Sequence, residues 1–189
     1  MSTNRRSMLS SIGRRVGAVT AAGLLCTAVA ASASPAAAAP FDAAPPAVPV
    51  TVQPPAGSER VATYRVLAGV QIYHCPAGAW TLRAPEALLA DVQSPRRKIH
   101  HFAGPSWKSL VDGSTITAAR VADSPVAGAI PLLLLQVNGH TGDPAGLLAD
   151  VDYIQRLNTR GGLAPTGACT EGQEQRVRYG ADYVFWTAP

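Results

Sequence analysis

The chain has 189 residues, 47% of them hydrophobic and 15% charged, with sixteen Lys and Arg against twelve Asp and Glu for a formal charge of +4. The length suits one domain, and the basic excess is local. Arg5, Arg6, Arg14 and Arg15 lie in the first 38 residues, which hold no acid, so the remainder balances at twelve of each sign and gives no electrostatic ground for nucleic acid or an anionic membrane as partner.

Residues 1–38 read as an export signal peptide. Arginines open it, Val16 to Ala31 is apolar, and Ala31-Ser32-Ala33 and Ala36-Ala37-Ala38 offer small-x-small cleavage sites. The pair Arg14-Arg15 leaves a twin-arginine route open beside the general one. The apolar run barely reaches the length of a membrane span, so a secreted protein with no membrane attachment after cleavage is expected. Cys26 leaves with the signal. Cys75 and Cys169 then remain as an even pair in an oxidising destination, which predicts one disulfide. Residues 39–57 carry Pro40, Pro45, Pro46, Pro49, Pro54 and Pro55 and read as an extended Pro/Ala-rich linker. The folded domain is expected over 58–189.

Within that domain the alternation of apolar and polar residues predicts strands. Tyr64–Leu67 and Val70–Cys75 read as a hairpin about Ala68-Gly69, and Trp80–Arg83 as a short strand. Pro85 to Leu89 suits one helical turn with proline at its start. Lys98–Phe102 is a strand ended by Gly104-Pro105, Ser114–Val121 alternates again, and Leu132–Val137 is apolar apart from Gln136 and suits a buried strand. Leu147–Thr159 fits a helical stripe and a strand about equally. Gln175–Tyr179 and Ala181–Thr187 give two more strands, the second with Tyr183 and Phe185 on one face. The expected fold class is all-β, an antiparallel β-sandwich or barrel with at most short helices.

The segments Ile72-Tyr73-His74-Cys75, Ala84-Pro85-Glu86-Ala87-Leu88 and His101-Phe102-Ala103-Gly104-Pro105-Ser106-Trp107 with Asp112-Gly113-Ser114 carry a resemblance. So do Ile130-Pro131-Leu132-Leu133-Leu134, Ile154 to Gly162 and Ala181-Asp182-Tyr183-Val184-Phe185. Together they resemble an uncharacterised family of secreted bacterial and fungal proteins, a domain of unknown function, over nearly the whole 58–189 region. Some fungal members carry a malate dehydrogenase label. This chain has no G-x-G-x-x-G after a strand and no alternating βα pattern, so dinucleotide binding lacks its physical basis. Leu132 stands where the family tends to carry Trp after the Ile-Pro proline.

The candidate ligand-binding residues are His101, Trp107, Asp112, Arg156 and Asn158. A histidine bonded to a backbone carbonyl with Trp107 packed over the Gly104-Pro105 turn would need no ligand. Asp112-Gly113-Ser114 serves equally as turn chemistry, and Arg156 has Asp150 and Asp152 as candidate partners. No nucleophile elbow, H-E-x-x-H or calcium-loop spacing occurs, so neither a catalytic residue nor a cofactor is assigned. The leading expectation is a non-enzymatic extracellular module binding a cell-wall or other extracellular polymer such as a glycan. Tyr73, Trp80, Trp107, Tyr179, Tyr183 and Trp186 would supply its flat faces. The alternatives are an envelope structural protein without a small ligand, or a metalloenzyme using His101 with His74, His100 or His140 and Asp112.

Overall fold

A computed structural model describes residues 47–189; the signal-peptide reading and the start of the linker lie outside these residues. Eight strands follow in chain order: β1 Arg60–His74, β2 Thr81–Asp91, β3 Lys98–Phe102, β4 Ser106–Ser109, β5 Thr115–Val126, β6 Ala129–Thr141, β7 Tyr153–Gly161 and β8 Glu174–Trp186. Each pairs antiparallel with the next, and β8 pairs back with β1, closing a barrel. Of the two architectures that the alternation allows, the chain forms the one in which every strand has two neighbours.

The inner wall is where the period-two pattern leads. Tyr64, Leu89, Ile99, Trp107, Ile116, Ile154, Tyr183 and Phe185 are all essentially buried and form one cluster. Burying a side chain of this kind contributes about 1.5–3 kcal/mol, and the alternation that produces it fixes which face each strand turns inward.

That parity breaks in the middle of β1, beside the point expected to be a hairpin. Ala68-Gly69 runs on within a single strand just past a bulge at Leu67, where the register against β2 slips between Val66 and Ala68. A bulge inserts one residue and so moves the inward set from even to odd positions: Tyr64 before it and Gln71 and Tyr73 after it are all buried. Gly69 sits on the inner side, where a Cβ would lie 2.8 Å from Val66 Cγ1 and 2.9 Å from a ring carbon of Tyr179, so only glycine fits.

Four further expectations are corrected. Pro85 lies inside β2 rather than at a helix start; that stretch pairs with β1 alone, and a strand with one free side tolerates proline. Leu147–Thr159 divides into a loop up to Asp152 followed by β7. Gln175–Thr187 is one strand, β8, rather than two. The later part of the linker is docked: Val50–Val52 forms a 3-10 turn, Val52 is fully buried, and its carbonyl accepts from Gln155 Nε2. Gln155 faces outward from β7, so Val52 covers a polar side chain that would otherwise lie bare. Among the described residues no helix is long and apolar enough to cross a membrane.

The two barrel ends differ. At one, the loop after β6 folds inward and buries Leu148 and Val151 completely, plugging the barrel. At the other, the β3–β4 hairpin is too short to reach the rim. β3 pairs with β2 only over Ala87–Ala90, and β4 pairs with β5 only over Thr115–Thr117. Above the hairpin, Thr81–Glu86 of β2 and Ala119–Val126 of β5 have no partner on the facing side. The wall is therefore notched on this side.

Candidate functional site

A cavity of about 410 Å³ opens at the notch and runs into the barrel, lined by residues from all eight strands. Gln71, His101, Trp107, Leu135, Arg156 and Tyr183 form its buried inner surface; Arg83, Pro85, Pro105 and Arg120 frame the entrance. Towards the plugged end the barrel is packed with Leu89, Ile99, Leu148, Val151, Ile154 and Phe185.

The β3–β4 hairpin builds the centre of this site. Its register places His101 directly opposite Trp107, and the two rings stack with centroids 4.3 Å apart at 11°. Tyr183 meets both edge-on, at 5.2 Å from His101 and 5.9 Å from Trp107. Gly104 makes the turn possible: its φ is 129°, and a Cβ there would fall 2.4 Å from Ser106 Oγ. His101 Nδ1 donates to the Ser106 carbonyl at 2.9 Å, which leaves Nε2 as an acceptor in the neutral ring. Burial pushes the His101 pKa down to about 3; the bond to Ser106 opposes this, and the charge of Arg156 adds to it. The ring is thus uncharged at neutral pH.

Arg156 enters from β7 and is only 9% exposed. Its Nε and Nη2 donate to the Pro131 carbonyl at 3.1 and 2.9 Å. The expected carboxylate partners are elsewhere: Asp152 accepts from the Ala188 amide, and Asp150 makes no ion pair among the described residues. Burial raises the pKa of Tyr183 and of Tyr179 and the nearby Arg156 charge partly offsets it in both, so both phenols stay protonated. Trp107 Nε1 and Gln71 Nε2 are buried without a hydrogen-bond partner. Such groups are uncommon in folded proteins and each costs roughly 1–3 kcal/mol.

His101, Trp107 and Arg156 therefore meet in one cavity, whereas Asp112 and Asn158 do not. Asp112 stands at the plugged end, accepting from Ser114 Oγ at 2.6 Å, the Ser114 amide at 3.0 Å and the Leu147 amide at 2.8 Å. The Ser114 hydroxyl first, then those amides, hold its carboxyl well below the usual range. This network pins the plug, so Asp112→Ala should destabilise the fold by about 1–2 kcal/mol, measured as a lower urea midpoint. An unchanged midpoint would remove this role. Asn158 lies on the outer wall, where its Nδ2 donates to Asp182, which also pairs with Arg65 at 2.8 Å. Its φ of 52° marks a bulge in β7, a conformation asparagine tolerates.

Of the six aromatics expected to offer flat faces to a polymer, Trp80 and Trp186 are part-exposed and the other four are buried. Tyr73, Trp107, Tyr179 and Tyr183 point into the barrel, and Trp186 is tied through Nε1 to Gln155 Oε1 at 3.0 Å. Nor do the histidines converge. His100 bonds Glu86 at 2.7 Å on the outside, His140 bonds the Val151 carbonyl, and among the described residues no group of three or more His, Cys, Asp or Glu is placed to hold a metal. Cys75 and Cys169 are bonded, with Cα atoms 6.0 Å apart.

Sequence reasoning missed Gln71, Arg83 and Arg120 as site residues. A polar residue two positions before Tyr73 on an inward face was the available signal for Gln71. The two rim arginines become neighbours only through the missing wall above the hairpin, which no local pattern marks.

The protein-family profile described as "Protein of unknown function (DUF3455)" matches residues 55–187. No curated protein and no solved structure matches the chain.

Proposed function

The chain belongs to this DUF3455 family of unknown function, and we propose that it is an exported, non-enzymatic binding protein that takes a small organic ligand into its barrel through the notch. The single observation that carries this reading is a cavity of ligand size whose lining includes Trp107 and Gln71, two residues with buried donors without partners. Pockets for small molecules are typically 300–1,000 Å³, mostly apolar, with a few converging polar groups. The lining contains no Asp, Glu, Ser, Cys or Lys, a set that suits retention more than turnover. The His101–Trp107 stack offers a flat face to a ligand entering end-on. Export is supported by the leader-like start of the sequence and by the Cys75–Cys169 bond, which suits an oxidising compartment.

The test is a fragment screen by amide and indole NMR. Ligands of the cavity are expected to move the Trp107 indole N–H resonance and leave that of Trp186, already bonded to Gln155, in place. Hits that move only Trp80 or Trp186, or no hits from a varied library, would remove the reading.

A further inference from the structure

We infer that Arg156 is the anchor for a carboxylate, so that the ligand is a monocarboxylate with an apolar body. This rests on the interior being a ligand site. The argument begins with a charge out of place. Burying a cation costs several kcal/mol unless an anion and hydrogen bonds offset it, yet Arg156 is nine-tenths buried and faces no carboxylate among the described residues. Pro131 takes two of its five N–H groups and the Tyr183 hydroxyl lies within reach of the guanidinium, but neither partner carries a charge to balance it.

Beside the acceptor His101 Nε2, two neighbouring unpartnered atoms are donors. Gln71 Nε2 and Trp107 Nε1 are both donors, both essentially buried and both on the cavity wall. An unbalanced cation beside two unpartnered donors suits an acceptor-rich anion, and a carboxylate offers two oxygens in the geometry a guanidinium fork matches. The charge count favours a single negative charge. His101 is neutral there, and the two rim arginines are more than half exposed and already paired, Arg83 with Glu174 and Arg120 with Asp123. Leu133 and Leu135 on the wall then leave an apolar surface for the rest of the molecule.

The experiment titrates the purified protein with 2-naphthoate and with its neutral counterpart 2-naphthamide, following tryptophan fluorescence and heat at pH 7. The acid is expected to bind at least ~10-fold more tightly, a gap of about 1.4 kcal/mol. Arg156→Gln should bring the acid down to the level of the amide, and Arg156→Lys should keep part of the preference. Inorganic phosphate in tenfold excess over the acid should not displace it, since it lacks an apolar body. If Arg156→Gln does not fold, the acid–amide pair on the unaltered protein decides alone. Equal affinity for the two overturns the anchor while the cavity reading stands; binding of neither overturns both; displacement by phosphate overturns the monocarboxylate assignment.

Discussion

Reducing the Cys75–Cys169 bond is expected to cost the barrel about 4 kcal/mol. The bond joins residues 94 apart, and on the chain-entropy account a loop of that length confines the unfolded chain strongly. Its position adds to the effect. Cys75 directly follows β1, and Cys169 precedes β8 in the segment that leads into it, so the crosslink encloses β2 to β7 and holds together the two strands whose pairing closes the barrel. Backbone bonds from the Cys75 amide to Gln173 and from the Gly172 amide to Cys75 hold the same segments, so some of the loop should persist after reduction. Urea unfolding with and without reductant, and of the Cys75→Ser/Cys169→Ser double variant, measures the difference. Coincident curves would show that the crosslink contributes nothing.

The second large effect is acid sensitivity set by His101. Its folded pKa of about 3 lies below the ordinary 6.5, so between these values the unfolded chain binds a proton that the folded one refuses. Stability is thus fully present above pH 6.5 and declines as the pH falls towards 3. Each pH unit in that window removes about 1.4 kcal/mol, so acidifying from 6.5 to 4.5 should cost about 2–3 kcal/mol. The carboxylates act lower. Asp112 and Asp182 have depressed pKa values, so their contribution is lost only below the unfolded carboxylate value of about 3.9. The window from 6.5 to 4.5 therefore isolates the histidine. His101→Phe, which keeps a flat ring against Trp107, should be less stable at neutral pH for want of a donor to Ser106, but its stability should hardly change across that window. A slope that survives this substitution would assign the acid sensitivity to another group.

Much of the fold was legible because the barrel obeys the period-two rule nearly everywhere. The rule failed where physics overrides it. A turn-like dipeptide, Ala68-Gly69, continues a strand just past the Leu67 bulge, and the crowding of Val66 and Tyr179 about Gly69 shows why glycine stands there. At Pro85 a helix-start residue sits in a strand because the neighbouring strands end early. The site was half legible. His101 and Trp107 lie six residues apart about a Gly-Pro turn, so their stacking followed from local sequence. Arg156 was visible as a candidate for a polar ligand or for Asp150 and Asp152, although its partner, the Pro131 carbonyl, was not. Asp112 and Asn158 were chosen on side-chain chemistry alone. A self-bonding turn and a left-handed asparagine present the same residue types as a ligand site, and only tertiary position separates them.

The notch also exposes the protein to its own kind. A strand lacking a neighbour offers a row of backbone donors and acceptors to any extended chain, and two such edges face the gap, Thr81–Glu86 and Ala119–Val126. Fibrous association is the usual consequence of bare edges, and prolines and charges are the usual deterrents. Both edges carry them: Arg83 and Pro85 on β2, and Arg120, Asp123 and Pro125 on β5. Residues that frame the entrance to the cavity thereby also serve as gatekeepers against self-assembly. Replacing Pro85 or Pro125 with a β-branched residue to tighten the barrel would leave the interior intact and make the protein prone to stacking edge to edge.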